Sequence, residues 1–214
     1  MAHLWQKKAL RGFRLYAITD LKTADRSEMR QVEEALKAGV DMIQLRSKTL
    51  TDEKFLEIGK SIRVISQRYG KLMIVNDRLD LALRLKADGI HLGQDDLSVG
   101  VARRSFNALG GGIVGRSTHS LQQARDAQKE GADYIGFGPL FQTPTKPAYP
   151  PIGLMDIARL RKFLRIPFVC IGGINAANVK CVTDAGAQRV AVVRAVFAQA
   201  SIGDAVKKIK EQLL

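Results

Sequence analysis

Eight times along this chain, a short apolar run rich in β-branched residues is followed by a stretch with helical periodicity. The runs are LYAIT (15–19), MIQLR (42–46), LMIVN (72–76), GIHLG (89–93), GIVGRS (112–117), YIGFG (134–138), PFVCIG (167–172) and RVAVV (189–193). Near-continuous apolar strands alternating with helices call for a parallel sheet covered on its outer face. Periodicity alone is compatible with an open or a closed sheet. Eight βα units with no left-over segment large enough for a second domain fit a closed (β/α)8 TIM barrel better than a doubly wound sheet. We therefore expect one α/β barrel domain over 13–214, preceded by an N-terminal extension at 1–12. Four helix-like segments close on Gly39, Gly70, Gly131 and Gly186, the residue type a helix C-terminus favours. A cruder repeat underlies the alternation: AGVDMIQLR, KADGIHLGQ, EGADYIGFG and AGAQRVAVV each enter a strand through small residues and then an acid or amide.

Composition narrows the class. Apolar residues make up 46% of the 214 positions, enough for a sizeable core. No apolar run reaches the roughly 18 residues a membrane helix needs. The opening MAHLWQKKALRGF lacks the apolar centre and small-residue cleavage site of a secretory signal, so the expected location is the cytoplasm and no membrane partner is expected. The formal charge of +13 favours anionic ligands, but no aromatic-interleaved basic stripe or helix-turn-helix accompanies it, which argues against nucleic acid. The two cysteines, Cys170 and Cys181, match no zinc spacing and read as small buried hydrophobes. The oligomeric state is left open, a homo-oligomer included.

In a barrel of this kind the active site is built at the C-terminal ends of the strands. Those ends carry Thr19 and Asp20; Gln44, Arg46 and Lys48; Asn76 and Asp77; Gln94, Asp95 and Asp96; Ser117 and His119; Gly138, Thr143, Thr145 and Lys146; Gly172 and Gly173; Val193 and Arg194. Gln44, Arg46 and Lys48 alternate, and alternate strand residues face one side. An arginine fork and a lysine point charge there suit a phosphate or diphosphate; the plain alternative is a solvated strand end. Asp77 and Asp96 end neighbouring strands and offer the hard oxygens that suit Mg²⁺, although Asp77 could instead cap the helix that follows. The long Pro-rich segment GPLFQTPTKPAYPPIG (138–153) offers two hydroxyls and an ammonium and is of a length that tends to be functional or mobile, with an irregular surface connection the plain alternative over 147–151. The glycines of IGGIN and the turn after RVAVV fall where barrels commonly hold a phosphate on backbone N–H groups. His119 could act as a base, yet a lone histidine is more often structural; His91 alternates with apolar residues and is placed to face the barrel interior.

In this order, YAITD, QLRSK, VNDRLDLALRLKADGIHLGQDD, GRSTHS, GADYIGFGPLFQTPTK and IGGIN resemble the thiamine-phosphate synthase (thiamine-phosphate pyrophosphorylase) family, over essentially the whole span from 14 to 197. The resemblance implies a transferase that condenses 4-amino-2-methyl-5-hydroxymethylpyrimidine diphosphate with a thiazole monophosphate, giving thiamine phosphate and diphosphate with Mg²⁺ as cofactor. It assigns Gln44, Arg46, Lys48 and Asn76 to the pyrimidine diphosphate, Asp77 and Asp96 to the metal, and Ser117 and Lys146 to the diphosphate. Arg46, Lys48, Ser117 and Lys146 are then the catalytic set. Thr143 and Thr145 fall to the thiazole phosphate, with Gly173, Val193 and Arg194 completing its pocket. One departure stands out: where many members carry a serine after the last strand, this chain has Arg194.

Two rivals are set against that reading. The related thiazole tautomerase branch shares the barrel and could use a histidine in GRSTHS, but it has no need of Lys48, Asp77, Asp96 and Lys146. A non-catalytic protein binding phosphorylated metabolites or nucleic acid through its charge would be retained on DNA in a salt-sensitive way.

Overall fold

The computed structural model describes residues 2–21, 26–144 and 149–213, with the side chains of 2–4 and 26 left aside. Thr145 and Lys146 lie outside the described residues. The elements are α1 (Ala2–Gly12), β1 (Leu15–Ile18), α2 (Arg26–Lys37), β2 (Met42–Leu45), α3 (Asp52–Arg68), β3 (Leu72–Asn76), α4 (Leu79–Arg84), β4 (Gly89–Leu92) and α5 (Val99–Asn107). They continue with β5 (Ile113–Thr118), α6 (Leu121–Lys129), β6 (Tyr134–Phe137), α7 (Ile157–Phe163), β7 (Phe168–Ile171), α8 (Val179–Asp184), β8 (Val190–Val192), α9 (Arg194–Phe197) and α10 (Ile202–Lys210). All eight expected strands form, every pair is parallel, and β1 pairs with β8 to close the barrel, so the chain is a (β/α)8 barrel.

Alternation along each strand sorts the core into two layers. Outward residues such as Leu15, Ala17, Ile43, Leu45, Met73, Val75, Ile90 and Leu92 join the helices in one cluster. Inward residues Tyr16, Ile18, Met42, Leu72, Ile74, Ile113, Tyr134, Val169 and Ala191 fill the barrel itself. Helix starts carry the hydroxyl caps their sequences offer: Thr51, Ser98, Ser120 and Ser201 accept from the N–H groups of Lys54, Val101, Gln123 and Asp204. Gly39, Gly70, Gly131 and Gly186 all take positive φ, as helix-ending glycines do.

Three features were not foreseen. Residues 2–12 form a helix, α1, whose Leu10 joins Phe13 in the interior cluster at the N-terminal end of the barrel. Its buried Gln6 donates to Asp88 at 3.0 Å. The strand-end residues Val193 and Arg194 open a four-residue helix, α9. Cys170 is buried as expected, with burial alone pushing its thiol up to about 12, but Cys181 is exposed: it faces outward on α8, where only Val179 and Val182 are buried.

Candidate active site

The inward positions change character toward the C-terminal end. In β2 the inward row runs Met42, Gln44 and then Arg46; in β3 it runs Leu72, Ile74 and Asn76. The apolar members plug the barrel, and the polar ones open onto a cavity of about 460 Å³, a usual size for a small-molecule site. Gln44, Arg46, Asn76, His91, Ser117, His119, Gly138, Thr143, Gly172, Gly173, Val193 and Arg194 all line it.

Arg46 is held in place. It is 8% exposed, its guanidinium pairs with Asp20 from the end of β1, and its N–H donates to the Thr19 hydroxyl at 2.9 Å. That hydroxyl in turn donates to the Arg46 carbonyl at 3.0 Å. Lys48 is placed differently from its neighbours. β2 ends at Leu45, and the Ser47 hydroxyl, donating to the Leu21 carbonyl and accepting from Leu50 N–H at 3.1 Å, turns the chain. The two-residue period ends there, so Lys48 is exposed and is not among the cavity-lining residues.

Asp77 and Asp96 stand at the ends of adjacent strands, just outside the residues that line the cavity. Asp77 follows Asn76, which pairs in register with His91; the Asp77 N–H donates to the His91 carbonyl at 2.9 Å, and the Asn76 amide donates to the Asp77 carboxylate. Asp77 sits at φ +59°, a left-handed conformation that aspartate tolerates but that costs energy and marks functional sites. The helix-cap alternative does not hold: the N-cap of α4 is Arg78, with no side-chain cap bond. Asp96 folds back over its own turn and accepts from Gly93 N–H at 2.6 Å. Among the described residues no cluster of three or more His, Cys, Asp and Glu side chains could hold a metal. Two carboxylates on neighbouring strand ends fit Mg²⁺ nonetheless, since that ion takes one or two carboxylates and completes its shell with water and phosphate oxygens.

On the opposite wall, Gly172 and Gly173 have φ of +98° and +68°. A Cβ on Gly172 would lie 2.4 Å from the Pro139 Cα, and one on Gly173 would lie 2.7 Å from the Gln142 carbonyl oxygen. The glycines therefore admit the segment after β6, whose Leu140 and Phe141 N–H groups donate to the Ile171 and Gly172 carbonyls at 2.8 and 3.0 Å. Farther along that segment, the Tyr149 ring packs against His119 at a tilt of 31°, with ring centroids 4.9 Å apart. The His119 Nδ1 bonds the Gly138 carbonyl, so the histidine ties β5 to the base of the same loop.

The floor of the cavity holds a polar chain that pattern reading missed. The Gln44 amide donates to the Tyr16 hydroxyl at 2.6 Å, and the Tyr16 and Tyr134 hydroxyls lie 3.1 Å apart. Tyr134 then meets His91 Nδ1 at 2.9 Å, and His91 Nε2 meets the Ser117 hydroxyl at 2.9 Å. Burial pushes both phenols well above their ordinary pKa. Glycines make the room: a Cβ on Gly115 would fall 2.3 Å from the Tyr134 ring, and one on Gly136 would fall 3.4 Å from His91. The parity that places Gln44 inward would also have found Tyr16 and Tyr134, had it been carried to β1 and β6.

A closed parallel barrel, with cations, amides and a glycine-lined wall around one cavity at its C-terminal end, defines an enzyme of the phosphate-handling TIM-barrel class. The family profile described as thiamine monophosphate synthase matches residues 15–196. A thiamine-phosphate synthase from Syntrophomonas wolfei is 41% identical over 93% of this chain and 95% of its own length. One from Pyrococcus abyssi is 40% identical over 94% and 96%. The solved thiamine phosphate pyrophosphorylase of Pyrococcus furiosus superposes with a TM-score of 0.84 at 35% identity, covering 98% of this chain and 97% of that one. The chain belongs to the thiamine monophosphate synthase family and is a transferase of thiamine biosynthesis.

Proposed function

We propose that this chain joins 4-amino-2-methyl-5-hydroxymethylpyrimidine diphosphate to a thiazole monophosphate by a Mg²⁺-assisted dissociative reaction, releasing diphosphate and forming thiamine phosphate. The observation that carries the reading is the convergence of Gln44, Arg46, Asn76 and Ser117 with Gly173, Val193 and Arg194 on one cavity. In this reaction the bond from the pyrimidine methylene carbon to the diphosphate oxygen breaks first, and its electron pair leaves with the diphosphate. The thiazole nitrogen then closes the new carbon–nitrogen bond with its lone pair.

Negative charge grows on the diphosphate as it leaves, so fixed donors aimed there lower the barrier most. Arg46, oriented by Asp20, supplies a guanidinium that needs no rearrangement. Ser117 adds a hydroxyl and Asn76 an amide from the cavity wall, and the family assignment adds the ammonium groups of Lys48, from the exposed turn after β2, and of Lys146. Asp77 and Asp96 would hold Mg²⁺, which when bound neutralises charge on the diphosphate oxygens. Thr143, Thr145, Gly173 and the backbone at Val193 hold the thiazole phosphate, and Arg194 replaces a neutral hydroxyl with a cation. The pyrimidine cation must be kept from water, and we assign that to the segment 138–151, whose described residues Pro139, Gln142 and Thr143 lie on the cavity wall. The reaction we propose works on small-molecule substrates in the cytoplasm; among the described residues no helix is long and apolar enough to cross a membrane.

The test is incubation with both substrates, with and without Mg²⁺, reading thiamine phosphate and diphosphate together. Mg²⁺-dependent appearance of both supports the reading. Isomerisation of a thiazole phosphate carboxylate without diphosphate release would assign the chain to the tautomerase branch instead.

A further inference from the structure

The chain of bonds beneath the cavity has a direction, and the direction follows from counting protons. Gln44, 2% exposed, donates an amide N–H to the Tyr16 oxygen. A phenol has one proton, and the partner recorded for Tyr16 besides Gln44 is Tyr134. Were Tyr134 the donor in that pair, the Tyr16 proton would have no acceptor in the chain. Tyr16 therefore donates to Tyr134, and Tyr134 to His91 Nδ1. A neutral imidazole carries one N–H, which must then sit on Nε2 and donate to the Ser117 oxygen. The Ser117 hydroxyl proton is left to point into the cavity. Burial keeps both phenols protonated, as the count requires.

Turning the Gln44 amide over reverses every bond. Its oxygen would then accept from Tyr16, Tyr16 from Tyr134, and Tyr134 from His91 Nδ1–H. His91 Nε2 would accept from Ser117, whose proton would be consumed and whose lone pairs would face the cavity. A donor and an acceptor are opposite partners for a diphosphate oxygen.

We propose that Tyr16, Tyr134 and His91 are positioning residues that couple the orientation of the Gln44 amide to the polarity of the Ser117 hydroxyl, so that a heterocycle presenting an amino group to the Gln44 oxygen holds Ser117 as a hydrogen-bond donor. The proposal rests on the reading above that the pyrimidine diphosphate lies against Gln44 and Ser117. It adds a substrate rule: an aminopyrimidine sets the relay for diphosphate departure, and an oxo analogue, which asks Gln44 for an N–H, sets it the other way. Tyr16, Tyr134 and Ser117 change sense by rotating their O–H bonds, and His91 changes it by tautomerising, Nε2 giving up its proton as Nδ1 gains one, so the relay holds the same number of protons in both states.

Two measurements test it. The first is the ¹⁵N signature of the imidazoles in the substrate-free wild-type protein, which has three histidines, with His91 assigned by its loss in a His91→Asn variant. A neutral His91 in one tautomer, Nε2–H with Gln44 donating to Tyr16 or Nδ1–H with the amide turned over, supports the relay; an imidazolium protonated on both nitrogens, which cannot pass the sense of the chain from Tyr134 to Ser117, overturns it. The second is a kinetic cycle. Tyr134→Phe keeps the ring and removes the link; it should lower kcat on the order of tenfold, as loss of an orienting partner does, with little change in KM for the pyrimidine diphosphate. Combined with Ser117→Ala it should add nothing to the loss caused by Ser117→Ala alone. Losses that multiply would show Tyr134 acting independently of Ser117 and end the proposal. Because the tautomer is read without substrate, the relay can fail while the transferase reading stands, and the reverse.

Discussion

Carboxylates mark both ends of this barrel, and the two ends treat them differently. At the N-terminal end, Asp41, Asp88 and Asp133 stand just before β2, β4 and β6, and each accepts a backbone N–H from the preceding strand: Leu15, Met73 and Val114 at 3.1, 2.9 and 2.8 Å. Each also faces distant basic side chains, Lys71 and Lys210 for Asp41, Arg63 for Asp88 and Arg103 for Asp133. At the C-terminal end, the Asp77 carboxylate accepts from its neighbour Asn76, and the Asp96 carboxylate from Gly93 three residues away. Asp20 there serves to hold an arginine that lines the cavity. Long-range partners make the lower acids part of the closure of the sheet. The upper acids stand at the rim, where in the proposed reaction a cation and a diphosphate would reach them.

The comparison breaks most visibly at Asp88. Its side chain is 2% exposed and joins α1, α3 and β3 through Gln6, Arg63 and the Met73 N–H. Asp88→Ala should cost about 3–5 kcal/mol, because it strands a partly buried guanidinium and two N–H donors. At roughly 2–4 °C per kcal/mol for a chain of this size, that lowers the melting temperature by about 6–20 °C. Turnover of the folded fraction at 25 °C should be unchanged. A fall in kcat at an unchanged melting temperature would move Asp88 to the wrong side of the comparison.

The same substitution class at the rim should give the opposite result. Asp77→Asn keeps the left-handed backbone preference and removes only the charge. The melting temperature should stay within the equivalent of about 0.5 kcal/mol, as for surface changes away from special features. The Mg²⁺-dependent rate should fall about a hundredfold, the scale set by losing one fixed stabiliser of developing charge. Titration of the variant with Mg²⁺ separates weaker metal binding from a slower step: recovery at high Mg²⁺ places Asp77 at the ion. A variant that is both stable and fully active would remove Asp77 from the site.

The sequence made the strands, the helix-ending glycines and most of the cavity wall legible, since all three follow from local periodicity. It also revealed the repeated acid or amide before the even strands, without saying what that acid does. Its partners Lys210 and Leu15 are far away in sequence, and only closure of the barrel brings them to Asp41. Lys48 shows the reverse limit: alternation was extended past Leu45, but Ser47 had already turned the chain. The polar floor escaped notice because tyrosine in an apolar strand reads as core, and Tyr16 and Tyr134 are indeed core; their hydroxyls matter because Gln44 and His91 end up beside them. Helix α1 was hidden for a related reason, its anchor Gln6 being a polar residue whose partner lies at position 88.

A smaller effect is expected at Asp20. Asp20→Asn leaves Arg46 in the cavity without its ionic partner, and the pair is half open to water on the Asp20 side. We expect a loss of about 1 kcal/mol in transition-state stabilisation, roughly fivefold in kcat/KM, with the melting temperature unchanged. A stability loss with intact kcat/KM would make Asp20 a lower-end acid in the wrong place.

The finest distinction is made by pH at Asp41. Burial pushes its carboxyl up, but the N–H groups of Leu15 and Arg14 and the charges of Lys210 and Lys71 together outweigh it, so the folded pKa lies below the ordinary 3.8. A depressed carboxylate contributes stability that is fully present above its unfolded pKa and is lost as pH falls through the folded one. Wild-type melting temperatures should therefore drop as pH is taken below about 4. Asp41→Asn should lie lower at neutral pH by the equivalent of about 1 kcal/mol, having lost charge-assisted bonds, and should fall less steeply in acid. Asp96→Asn, whose bond to Gly93 spans a local turn and joins no second element, should leave the melting temperature at neutral pH within the equivalent of about 0.5 kcal/mol of wild type. If the two variants exchanged behaviour, the lower rim would not be the end of the barrel that binds its acids for stability.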